Sequence, residues 1–305
     1  MSVVALEKVS KWYGEVLGLS DVTLRIGQGI TGLLGVNGAG KSTLLRLATG
    51  QLAPSRGRVT VLGEEVWNNP ALMRRIGFCP EQDSFYEEMS GEAWLAYLGR
   101  LAGFGRKEAH ARAVALLEKL DLRREQRKRI GRYSKGMRQR LKFAQALLHD
   151  PEVLFLDEAL TGTDPIGRAR MSELIRELAR AGRHVVFSSH ILHEVEALTD
   201  RIVLLHQGRL RAEGRIDEIR RLLVEHPCEV RIEVDRPREL AAKLIASEHV
   251  RAVERVEEGA IVVHTTAQET FLRELENVLL EGGFDVLGLT PLDDRLETVF
   301  QRLTE

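Results

Sequence analysis

Two cysteines in 305 residues, Cys79 and Cys228, cannot make a disulfide framework and suit a reducing compartment. No apolar run approaches the roughly 20 residues that a membrane-crossing helix needs, and stretches such as VVALEKV and VLFLDEAL are interrupted by charge. The opening residues, MSVVALEKVSKWYG, lack the basic flank, apolar centre and small-residue cleavage site of a signal peptide, so none is expected. Neither sign of charge is in excess: 44 Lys and Arg stand against 45 Asp and Glu, which argues against a polyanion-binding protein. Internal repeats and low-complexity tracts are also missing. A chain of this kind, if it works at a membrane, needs another protein to span it.

What is present is a soluble, globular composition, 44% hydrophobic and 29% charged. The near-zero net charge hides an asymmetry. From Pro227 onward there are 9 basic and 17 acidic residues, leaving 35 basic and 28 acidic before it. Such a change at one point predicts two domains, 1–225 and 226–305.

Short apolar strand candidates recur in the first part: TGLLG (31–35), VLFLD (153–157), HVVFSS (184–189) and RIVLLH (201–206). Helical periodicity lies between the last three, for example Met171, Leu174, Ile175 and Leu178 after the breaker Asp164-Pro165. This predicts an α/β fold with a buried parallel sheet. Residues 84–148 form a long helical insertion. Beyond residue 226 the order strand, helix, strand, strand, helix, strand predicts a small βαββαβ domain, with a last helix over DRLETVFQRL.

The strongest chemical signal is GVNGAGKST, Gly35 to Thr43, between an apolar strand and a helix. Gly38 and Gly40 allow backbone N–H groups to turn inward, and the helix N-terminus favours an anion. Lys41 can then reach β- and γ-phosphates while the Ser42 hydroxyl holds Mg²⁺. Gly-Lys-Ser points to a nucleoside triphosphate and away from a dinucleotide. Such a loop requires a carboxylate for the metal, and VLFLDE supplies Asp157, followed by Glu158 to polarise an attacking water. His190 closes the apolar stretch HVVFSSH, where an imidazole can reach a γ-phosphate; by itself a strand-end histidine is more often a capping or surface residue.

GVNGAGKST, then Gln82 in FCPEQD, YSKGMRQRL, VLFLDE, GTDP and SSH resemble the ordered motif set of an ABC-type ATPase over residues 1–225. The resemblance implies a P-loop cassette with a parallel-sheet core and N-terminal antiparallel strands, using ATP and Mg²⁺. It implies that Gly35, Asn37, Gly38, Ala39, Gly40, Lys41, Ser42 and Thr43 cradle the phosphates. By the same resemblance Tyr13 stacks on adenine, and Gln82 touches Mg²⁺ and links the site to a membrane partner. Ser134, Lys135, Gly136 and Met137 match the signature loop, and Asp164 the loop that crosses a dimer. Two cassettes of this family pair head to tail, each signature completing the other subunit's ATP site. From the residues alone, Ser134 before the run Met137, Leu141, Ala144 and Leu148 reads as a helix N-cap and a second anion site, facing either its own ATP or a neighbour's.

The sequence departs from the family pattern in places. YSKGM stands for LSGGQ, ALTGTD for PTxGLD, and Val36 for a frequent proline. The groups for hydrolysis remain: Lys41, Asp157, Glu158 and His190. The tail TPLDDRLETVF resembles the close of type-2 ABC exporter ATPases. The expectation is therefore an ATP-hydrolysing homodimer that powers a separately encoded permease, peripheral on the inner face of the cell membrane. The alternative, a soluble cassette acting on ribosomes or nucleic acid, lacks the second cassette, coiled coil or zinc motif of such relatives. The basic run RREQRKRIGR, Arg123 to Arg132, reads first as a solvated helix end, with contact to lipid headgroups or an acidic partner as the other reading. His249 and His264 have no metal-spaced partners.

Overall fold

The computed structural model describes residues 2–222, 228–257, 259–265 and 268–291. Two units emerge, Met1–Arg215 and Ile216–Glu305. The break falls ahead of the composition change at Pro227, so the helix Ile216–Leu222 belongs with the second unit.

The first unit begins with β1 (Val4–Tyr13), β2 (Val16–Ile26) and β3 (Ile30–Leu34), then α1 (Lys41–Ala48). Next come β4 (Arg56–Val61), β5 (Glu64–Glu65), α2 (Pro70–Met73) and β6 (Ile76–Cys79). Three helices follow without an intervening strand: α3 (Gly91–Leu101), α4 (Arg106–Lys119) and α5 (Lys135–Leu147). The unit ends with β7 (Val153–Asp157), α6 (Pro165–Arg180), β8 (His184–Ser189), α7 (Leu192–Glu196), β9 (Arg201–His206) and β10 (Arg209–Arg215).

An antiparallel sheet runs in the order β2-β1-β4-β5, and a second sheet in the order β10-β9-β3-β8-β7-β6. In the second, β9, β3, β8, β7 and β6 are parallel and β10 is an antiparallel edge. Every residue of β7 is buried, and all but the first of β3 and β8. That is why these strands read as unbroken apolar runs: elements cover both faces. One core joins Val4, Leu6 and Leu24 of the antiparallel sheet to Leu44 and Leu47 of α1 and to Phe155 and Val186 of the parallel sheet. The parallel strands β3, β7, β8 and β6 end along one edge of the sheet, where an open α/β fold holds its ligands. The loops that leave there carry Gly35–Gly40, Glu158, His190 and Gln82.

Strand β6 is absent from the sequence reading. Four residues, IGFC, between Arg75 and Pro80 are too short for a periodic signal, and only pairing with β7 makes them a strand.

The second unit contains α8 (Ile216–Leu222), β11 (Cys228–Val234), α9 (Pro237–Leu244), β12 (Val250–Glu257), β13 (Ala260–Thr265), α10 (Gln268–Gly282) and β14 (Val286–Pro291). Its sheet order is β12-β13-β11-β14, antiparallel throughout. The βαββαβ order expected from sequence is realised. Val230, Ile232 and Val263 pack with Leu240, Leu244, Phe271 and Leu275 from the two helices. The last expected helix, 294–303, lies outside the described residues, as does most of the exporter-like tail.

Candidate active site

The phosphate loop is built by glycine at positions no other residue fits. Gly40 precedes α1 in a left-handed conformation, φ 104°, and a β-carbon there would lie 2.8 Å from the Gly18 carbonyl oxygen. Gly38 also has positive φ, and at Gly35 a β-carbon would meet the Leu205 carbonyl at 2.6 Å. The loop therefore turns tightly onto the first N–H groups of α1. It borders a cleft of about 380 Å³ lined also by Tyr13, Asn37, Ala39, Ser42, Thr43 and Glu158. The Tyr13 hydroxyl lies 3.3 Å from Thr43 Oγ1, and its ring is partly exposed at the cleft.

Lys41 is buried. Its Nζ donates to the Gly35 carbonyl at 2.6 Å and sits 3.4 Å from Glu158 Oε1. Asp157 and Glu158 leave the end of β7 together, both buried. The Ser188 hydroxyl, from neighbouring β8, donates to Asp157 Oδ1 at 2.7 Å and accepts the Glu158 N–H at 3.0 Å. Glu158 itself adopts φ 50°, uncommon for a residue with a side chain. Its Oε2 accepts from Thr161 Oγ1 at 2.9 Å and pairs with His190 Nδ1 at 2.9 Å. An ionised carboxylate can only accept, so Nδ1 carries the proton in this pair and Nε2 is left for another partner.

Glu158 Oε1 is buried, with the Lys41 charge nearby but no hydrogen-bond donor. A cradle of turned-in N–H groups, a lysine and an unsatisfied carboxylate oxygen fit a phosphate chain and a water beside it. Ser42 and Asp157 offer hard oxygen ligands. Among the described residues no group of three or more His, Cys, Asp or Glu forms a metal cage. Mg²⁺ takes hard oxygens such as those of Ser42 and Asp157 and completes its shell from phosphate and water.

The signature residues are brought elsewhere. Ser134 caps α5, its Oγ accepting the Met137 N–H at 3.3 Å. None of Ser134 to Met137 lines the cleft. Gly136 packs on the loop that follows Glu158, where an added β-carbon would lie 3.4 Å from Asp164 Oδ2. Lys135 lies across the same loop: a β-carbon at Gly162 (φ 76°) would come 2.4 Å from Lys135 Cε. Asp164 caps α6, accepting the Gly167 N–H at 2.8 Å, and that bond holds its carboxyl below the usual range. Gln82 is exposed just beyond β6. Its neighbour Glu81, not Gln82, lines the cleft.

Three contributors escaped sequence reading. Ser188 and Thr161 place the two carboxylates, and buried Gln139 on α5 donates to the carbonyls of Glu158 (3.2 Å) and Ala159 (2.7 Å). Each is an ordinary polar residue until the fold provides its partner. Serine at 188 stood inside a quoted motif but had no local reason to be singled out.

Residues 19–161 match the ABC transporter family. The chain is 40% identical over 221 residues to a daunorubicin resistance ATP-binding protein of Streptomyces coeruleorubidus, covering 72% of this chain and 70% of that one. It is 33% identical to the bacitracin transport ATP-binding protein of Bacillus licheniformis across 99% of this chain and 97% of the relative. A solved ATP-binding subunit of an ABC transporter aligns with a TM-score of 0.66 at 31% identity, covering 73% of this chain and 93% of that structure. The chain belongs to the ABC transporter family. Within it, this is an ATP-binding and ATP-hydrolysing subunit, and among the described residues no helix is long and apolar enough to cross a membrane.

Proposed function

We propose that two copies of this chain pair head to tail, each closing its Ser134–Met137 signature over the partner's phosphate loop, and that the cycle drives a separate membrane permease. The carrying observation is the separation within one chain. Lys41, Glu158 and His190 meet at the cleft, whereas the capped N-terminus of α5, a second anion site, does not line it. A dimer supplies each site with the missing half.

In this reading Tyr13 stacks on the adenine, and Gly35 to Thr43 with Lys41 hold the phosphates. Mg²⁺, bound through Ser42, Asp157 and Gln82, would neutralise charge on the β- and γ-oxygens. Glu158 orients and polarises the attacking water, with His190 held by its Oε2 and offering Nε2 towards the γ-phosphate. Asp164 and Gly162 lie in the loop that would meet the other copy. The family's transport role, with the bacitracin and daunorubicin relatives, supports an exporter whose ATPase sits at the inner membrane face and meets the membrane through its permease, with lipid headgroups as the second reading of the basic run Arg123 to Arg132.

Mixing two inactive variants tests the shared site. Lys41→Met and Ser134→Arg each abolish both sites of their own dimer. In the mixed dimer one site joins a normal phosphate loop to a normal signature, so random mixing should restore about a quarter of wild-type turnover. Two variants that stay inactive after subunit exchange would show that each signature serves its own chain.

A further inference from the structure

Helix α5 is buried around much of its girth through Leu141, Phe143, Ala144 and Leu147, and beside Gln139 it also buries Lys142, only 4% exposed. Burial holds this ammonium below the usual lysine range. A buried cation persists only when its donors are used. Here Nζ donates to the Pro80 carbonyl at 3.0 Å and to the Glu81 carbonyl, the two residues just ahead of Gln82. Four residues earlier on the same helix, Arg138 grips the far side of that loop. Its guanidinium meets Asp83 at 2.5 Å and Glu87 at 2.6 Å, and lies over the Phe85 ring. Gln82 therefore leads off between two fastenings to one helix, and that helix begins at Ser134. Burial also pushes the Cys79 thiol, at the end of β6, up to about 12.

We propose that Lys142 is a positioning residue: it fastens the backbone before Gln82 to the signature helix, so that the two move as one piece. The proposal rests on the roles given above to Gln82 and Ser134. Without the lysine, two inward carbonyls lose their donor and the loop loses its fastening ahead of Gln82, with only Arg138 left to hold its far side, while the phosphate loop and Glu158 keep their own contacts.

The test uses the full chain with Lys142→Met, which keeps the stem and removes the donors, and Lys142→Arg, which keeps the charge. Amide hydrogen exchange is followed by mass spectrometry over 81–87 and over 41–48, beside ATP affinity and turnover. Expected for Lys142→Met is exchange about tenfold faster in 81–87 alone, turnover about tenfold lower and ATP affinity within about threefold of wild type, with partial recovery in Lys142→Arg. Unchanged exchange in 81–87 would overturn the proposal. So would faster exchange in both segments with a lowered melting temperature, which marks a general packing role. Gln82→Ala is measured alongside: wild-type turnover there would refute the role of Gln82, while the exchange pattern still decides for or against Lys142 as the fastening.

Discussion

Glu158 is held at every polar atom but one. Its N–H goes to Ser188, its carbonyl to Gln139, and its Oε2 to Thr161 and His190, leaving Oε1 facing Lys41. A positive φ on a glutamate is tolerated because these contacts over-determine the turn after β7. In the proposed mechanism this remaining oxygen is the one that meets the attacking water. Glu158→Gln keeps shape and most contacts but removes the basicity. ATP turnover should fall by about 100-fold or more, with ATP affinity within about threefold of wild type. Phosphate release and equilibrium nucleotide binding measured on the same preparation separate the two; an unaltered rate would remove Glu158 from the mechanism.

Among the elements, α5 does the most. Its N-cap is the signature serine, Gln139 holds the loop after β7, and Arg138 with Lys142 hold the loop after β6. The amphipathic spacing of this helix was legible in the sequence, as was its cap. The partners of its polar residues were not, because RYSKGMRQR reads locally as a run of solvated cations. Packing turned Arg138 and Gln139 of that stretch, and Lys142 just after it, into ties to loops far away in the chain. Gln139→Leu would strand the Ala159 carbonyl and leave the Glu158 carbonyl with the Thr161 N–H alone, at a cost of about 1–3 kcal/mol. A urea titration should show that loss, and steady-state kinetics a drop in kcat larger than any change in KM, since Glu158 moves and the phosphate loop does not. Equal stability and kcat would mean that another donor replaces the amide.

At the scale of the molecule there are two bodies with separate cores, one built on Leu44, Phe155 and Val186 and one on Ile232, Val263 and Phe271. The ATP cleft belongs wholly to the first. Calorimetry should resolve two unfolding transitions, and ATP at 100 times its Kd should stabilise only the first, by about 2.7 kcal/mol. A single transition raised as a whole would mean that the units unfold together. The four apolar runs that became β3, β7, β8 and β9, the phosphate loop, the pair Asp157-Glu158 and the expectation of a second body were legible in the sequence alone, because each rests on neighbours along the chain: an apolar run, a glycine, a cap, a change of charge. The tertiary structure decided which strands lie side by side, and so that Lys41, Glu158 and His190 converge while Ser134 stands away from them. It also decided that β6 is a strand and that Lys142 is buried. These depend on contacts between distant segments, whose energy comes from packing and hydrogen-bond partners that no local pattern encodes.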